Sequence, residues 1–129
     1  MELHQPMPLK ENADSYLLKI KKLIEAIRST PCRTWEMSEE SRRMHLSEVH
    51  FRYLFKQQCG LPPHQWILHC RMILAARLLR EGRQPVKDVA EKTGFSDSFH
   101  FTKMFHQHYG IPPAAYRREL QNKLGGQII

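Results

Sequence analysis

The sequence predicts an all-α fold of about seven helices, arranged as two similar subdomains joined by a long linker helix. Three observations carry that prediction. The chain repeats itself: Phe51, Phe55, Gly60, Pro63 and Trp66 return as Phe101, Phe105, Gly110, Pro113 and Tyr116, at a constant offset of 50 residues. His50, Gln57 and Pro62 return as His100, Gln107 and Pro112, and a fixed period of this kind marks two copies of one supersecondary unit. Apolar residues recur at helical spacing, and no useful run alternates with the strand period. Glycines close segments and prolines or capping residues open them.

Taken in order, residues 1–12 hold Pro6 and Pro8 without a period and read as a flexible arm or the remnant of an interdomain linker. Helix 1 is expected to start near Asp14-Ser15, good N-cap residues. Leu17, Ile20, Leu23, Ile24 and Ile27 form its apolar stripe, and Ser29-Thr30-Pro31 ends it. Helix 2 is expected over Trp35 to Met44 behind Thr34 as cap. Helix 3 runs from Glu48 to about Gln58, capped by Ser47 and closed by Gly60. These elements make a first subdomain over 13–62.

Pro62-Pro63 opens the linker helix, 63–81. Its Trp66, Ile67, Met72, Ile73, Leu74, Ala75, Leu78 and Leu79 make it apolar on more than one side, as suits a rod of roughly 27 Å packed against both lobes. Glu81-Gly82 breaks it. Pro85 stands at the first position of helix 5, with Val86, Val89 and Ala90 facing inward, and Gly94 closes it. Ser96 is expected to cap helix 6, about Asp97 to His108. Gly110 ends that helix and Pro113 starts the last one, with Tyr116 and Leu120 on it. The second subdomain thus spans 82–122, and Gly125-Gly126 marks 123–129 as a loose tail.

Composition narrows the partner. Lys plus Arg number 20 against 13 acids, a formal charge of +7. Such a balance favours a polyanion, without separating DNA from RNA or anionic lipid. Cys32, Cys59 and Cys70 make an odd, sparse set, the pattern of a reducing cytosol. No signal pattern opens the chain, and no apolar run approaches the ~18 residues needed to span a bilayer. The expectation is a soluble, cytoplasmic protein associated with the nucleoid and not with a membrane.

The chemistry lies on the outward faces of helices 3 and 6. A 3.6-residue period puts Phe51, Leu54, Phe55 and Gln58 inside, and Val49, Arg52, Tyr53, Lys56 and Gln57 outside. Helix 6 puts Phe101, Met104, Phe105 and His108 inside, and Phe99, Thr102, Lys103, His106 and Gln107 outside. Each outer set mixes cations, hydrogen-bonding groups and one apolar residue. Base edges in the major groove call for that mixture, and the bland alternative is a solvated helix surface. Phe99 either meets a thymine methyl or packs on its own lobe. A short helix joined by a tight turn precedes each face, the helix-turn-helix arrangement. Each half would read about one turn of duplex, a site of roughly 20 base pairs.

Other chemistries find little support. No C-x-x-C or H-E-x-x-H spacing points to a metal. No phosphate-binding glycine loop, nucleophile elbow or spaced carboxylate pair points to an enzyme, and nothing calls for a cofactor. A protein-docking module remains an alternative. Single-stranded RNA is weaker, because the aromatics mostly fall on inner faces.

With those residues in view, the chain resembles the DNA-binding domain of AraC/XylS-type bacterial transcription regulators. Val86, Val89-Ala90, Gly94-Phe95-Ser96-Asp97, Phe101, Phe105, Gly110, Pro113 and Tyr116-Arg117 carry the signature. The first copy adds Phe51, Phe55, Gly60, Pro63, Trp66-Ile67, Arg71-Met72, Ala75 and Leu78-Leu79. The likeness covers roughly residues 14–120. It implies two helix-turn-helix units on a shared helix, reading successive major-groove segments on one face of the duplex; members of the family usually activate by recruiting RNA polymerase, and some repress. Carried over by position, the base-reading candidates are Val49, Arg52, Tyr53, Ser98, Phe99, His100 and Lys103. Backbone-contact candidates are Ser47, Lys56, Arg71, Ser96, His106 and Arg117, each with plain solvation as its alternative. A separate N-terminal effector or dimerisation domain is common in the family, so the chain is either such a regulator's C-terminal part or a single-domain member.

The chain departs from the family pattern in helix 2, where Glu40 and Ser41 replace apolar and small residues, and at His45, which stands at the turn glycine. One extra residue also separates Ser96 from His100, compared with Ser47 and His50. Ser98 and Lys103 stand where Gln and Arg are usual, which implies a different base preference.

Overall fold

In the computed structural model the backbone is described over residues 6–128 and the side chains over 15–123. The described residues form seven helices and no strand: α1 Pro6–Ser29, α2 Met37–Arg43, α3 Glu48–Cys59, α4 Pro63–Glu81, α5 Val86–Lys92, α6 Ser98–Tyr109 and α7 Pro113–Ile128.

Both ends are more helical than the sequence predicts. α1 starts at Pro6 and not near Asp14, so only 1–5 of the expected arm lie outside the described residues. Pro6 and Pro8 fit this start, because the first turn of a helix leaves its N–H groups unbonded and a missing donor there costs nothing. α7 runs through Gly125-Gly126 to Ile128 in place of a loose tail; glycine penalises a helix by about 1 kcal/mol per residue but does not forbid it. α2 is the element that shrinks. It begins after Glu36, which makes no side-chain cap bond, so neither Thr34 nor Trp35 starts it. The Trp35 indole N–H instead donates to the carbonyl of Thr30, the residue just after α1, at 3.0 Å.

The chain divides into two compact units, and the division falls inside α4 between Ile67 and Leu68. Residues 31–33 go with the later unit although their flanks go with the earlier one. In the first unit α1 and α2 both pack on α3. Ile20, Leu23 and Ile27 of α1, Met37 and Met44, Phe51 and Phe55 of α3, and Ile67 are buried. The Trp66 indole donates to the Ile24 carbonyl at 3.1 Å and ties the start of α4 to α1.

In the second unit α5 and α7 pack on α6. Met72, Ala75, Ala76 and Leu79 of α4 share one core with Val89, Ala90, Phe95, Phe101 and Phe105. Tyr116 closes it, edge-on to Phe105 at 5.4 Å between ring centroids. The duplicated phenylalanines repeat their geometry: Phe51–Phe55 and Phe101–Phe105 both stand 5.9 Å apart. Ile73, counted among the apolar residues of α4, is 51% exposed.

Candidate nucleic-acid interface

Each outward face is set by a turn and a cap. The turn between α2 and α3 needs a left-handed residue, and His45 supplies it at φ 57°. Gly94 does the same before α6 at φ 93°. The flanking bonds match: Leu46 N–H donates to the Ser41 carbonyl at 3.0 Å, and Phe95 N–H to the Ala90 carbonyl at 2.9 Å. The first turn therefore forms without glycine. Burial of Ser41 is also satisfied, its hydroxyl donating to the Ser38 carbonyl at 2.9 Å.

The caps differ from expectation in the second unit. Ser47 caps α3, its Oγ accepting from His50 N–H at 3.1 Å. In α6 the cap is Asp97, whose Oδ1 accepts from Phe99 N–H at 2.9 Å, and not Ser96. The turn residues correspond at an offset of 49 (His45 and Gly94, Leu46 and Phe95), the caps and helices at 50. Ser96 is thus the extra residue. It is absorbed in the turn, and α3 and α6 correspond residue for residue.

Exposure sorts the candidates. Val49 is 81% exposed, Tyr53 58% and Phe99 84%. His100 and Lys103 are also exposed, as are Ser47, Lys56, Ser96 and His106, while Arg52 and Ser98 are partly covered. Phe99 does not pack into its own lobe. His100 lays its ring against Phe95 at 5.5 Å. The inner sets hold for the phenylalanines, but Gln58 and His108 are exposed; Cys59 and Tyr109, one residue further on, are the partly covered ones.

Two backbone-contact candidates turn inward. Arg71 Nε donates to the Pro31 carbonyl at 2.8 Å and Nη2 to the Arg33 carbonyl at 3.2 Å. Arg117 Nε donates to the Leu79 carbonyl at 3.3 Å, and its Nη2 is buried without a hydrogen bond. Sequence reasoning passed over Glu48, whose carboxylate lies 3.6 Å from Arg52 Nη2 one turn on. The i, i+4 spacing was the available signal. Gln57 likewise donates to the Tyr53 hydroxyl at 2.8 Å.

Among the described residues no cluster of His, Cys, Asp and Glu could hold a metal ion, and no helix is long and apolar enough to cross a membrane.

Residues 41–119 match a family model described as a helix-turn-helix domain. A Chromobacterium violaceum transcriptional regulator with an AraC-type DNA-binding domain shares the fold at a TM-score of 0.68 and 21% identity, over 84% of this chain and 94% of that one. The chain belongs to the AraC-type helix-turn-helix family. The DNA-binding domain of AdpA, solved in complex with a target DNA, also shares the fold. It aligns at a TM-score of 0.75 and 24% identity, over 81% of this chain and 94% of that chain. The transcriptional activator RhaR of Pectobacterium atrosepticum is 33% identical over 110 residues, 85% of this chain and 38% of its own. The chain thus spans little more than a third of that relative's length.

Proposed function

We propose that this AraC-type domain reads a specific double-stranded DNA site of roughly 20 base pairs, one helical turn per unit, and activates transcription in the cytoplasm by recruiting RNA polymerase. The observation that carries the reading is that the outward faces of α3 and α6 correspond position for position, behind turns that each hold a left-handed residue and the same flanking bond. Val49, Arg52 and Tyr53 on α3, and Ser98, Phe99, His100 and Lys103 on α6, meet base edges. Ser47, Lys56, Ser96 and His106 flank them and meet phosphates. Arg71 and Arg117, occupied by backbone carbonyls, are framework residues in this reading. A formal charge of +7 supports binding to a polyanion, and a phosphate contact positions the protein without reading sequence.

Selection from randomised duplex followed by salt titration tests the proposal. An enriched motif whose affinity falls steeply with salt is the expected result. Lys103→Ala should cost about 1–3 kcal/mol and relax one position, whereas Lys56→Ala should weaken all sequences alike and lower the salt slope by about one. No binding even at low salt would overturn it in favour of a docking module.

A further inference from the structure

The two reading helices correspond in position but not in chemistry. Where α3 has Glu48, Val49, Arg52 and Tyr53, α6 has Ser98, Phe99, Thr102 and Lys103. The Arg52 guanidinium lies 3.6 Å from the Glu48 carboxylate, and both stand on the outward side of α3. A carboxylate at that distance is repelled by a phosphate, so the pair is poorly suited to the DNA backbone. In the major groove it fits a base step: Arg pairs with guanine O6 and N7, and a carboxylate accepts from cytosine N4. The ion pair also restricts the long Arg side chain before it binds.

α6 has no counterpart to either charge. Its most exposed apolar side chain is Phe99, 84% exposed, and the backbone under it is fixed by the bond from Phe99 N–H to Asp97 Oδ1 at 2.9 Å. Phe99 offers a contact suited to the thymine C5 methyl.

We infer that the two halves of the DNA site are chemically unlike: α3 selects a guanine through Arg52 held by Glu48, and α6 selects thymine methyl groups through Phe99. The inference rests on the DNA-reading proposal and names what each half of that site must contain.

Modified duplexes test it, using the whole chain and the motif enriched from random DNA. Replacing the motif's thymines by uracil removes only the C5 methyl; affinity should fall about four-fold for each methyl in contact, as for one buried carbon. Phe99→Ala should abolish that sensitivity, and a side chain so exposed can be truncated without loss of core. Replacing the motif's guanines one at a time by 7-deazaguanine should weaken binding about 5- to 150-fold at one position. Arg52→Ala should remove that effect while leaving the uracil effect intact. Glu48→Gln should lower the discrimination between guanine and adenine at the same position and the preference for cytosine beside it, and at no other position. Uracil sensitivity that survives Phe99→Ala, or a 7-deazaguanine effect unaltered in Arg52→Ala, would overturn the assignment while leaving the DNA-reading proposal standing. Failure to enrich any motif would overturn both.

Discussion

Arg71 Nε donates to the Pro31 carbonyl at 2.8 Å and so fastens the loop after α1 to α4, 40 residues further along the chain. A second arm of the same guanidinium reaches the Arg33 carbonyl at 3.2 Å. Burial draws this guanidinium below its ordinary value, with the Cys32 charge acting the other way, yet an arginine keeps its charge in proteins. The loop residues 31–33 belong to the second compact unit, as Arg71 does. Hydrogen bonds to a charged group contribute about 1.5–3 kcal/mol, so Arg71→Ala should lower stability by that order in urea denaturation. Arg71→Lys should rescue little, since an ammonium lacks the two-armed geometry. A framework residue should leave the salt slope of DNA binding unchanged; a fall of about one would assign Arg71 to a phosphate instead.

The displaced cap gives a second prediction. Asp97→Ala removes the acceptor for Phe99 N–H and should destabilise the chain by about 1 kcal/mol. Ser96→Ala, one residue earlier, should change the thermal midpoint little. Ser47→Ala in the first unit should resemble Asp97→Ala, since Ser47 holds the corresponding bond. Equal losses at 96 and 97 would show that the turn, not the cap, sets the start of α6.

A third prediction concerns the two left-handed turns. At Gly94 an added Cβ would lie 3.2 Å from the Arg71 guanidinium carbon, at φ +93°. Strain in that region costs an ordinary residue about 1–2 kcal/mol, and the close contact adds to it, so Gly94→Ala should be clearly destabilising. At position 45 histidine already bears the strain at φ 57°. His45→Gly should therefore change stability with the opposite sign, by less than about 1 kcal/mol after the entropy of the freer unfolded chain is counted. Chemical denaturation of both variants checks the pair of signs.

Much of this arrangement is written in local chemistry. The phenylalanine repeats, the glycines at 60, 94 and 110 and the prolines at 63 and 113 fix where helices stop and start, because each acts through its own backbone. The outward faces followed from helical period alone, and Phe99 shows the period working at its hardest case. What escaped was decided by competition between neighbours. Ser96 and Asp97 are both good caps, and only the length of the turn chooses between them. Pro6 and Pro8 look like helix breakers until the helix is known to begin at Pro6. Arg71 and Arg117 look like surface cations on a basic chain. The carbonyls that hold them belong to residues 40 and 38 positions away, beyond the reach of any local pattern.

His108 supplies the last prediction, a pH dependence of stability. Its ring stands 5.3 Å from His69 and 4.8 Å from Tyr109. Partial desolvation of the ring where it faces Tyr109, and then the charge of His69, push the largely exposed His108 imidazole below its ordinary value of 6.5. The unfolded chain, free of both effects, takes up the proton more readily than the folded one. Linkage then fixes the sign: wherever the unfolded state binds more protons, stability rises with pH. The contribution of His108 is present in full above about pH 6.5 and is lost as pH falls through the lower folded value. Urea midpoints measured between pH 7.5 and pH 5 should decline for the wild type. His108→Gln should flatten part of that decline, and His69→Asn a smaller part, because desolvation outweighs the charge of His69. Midpoints that fall equally in the wild type and in His108→Gln would place the acid sensitivity elsewhere in the chain.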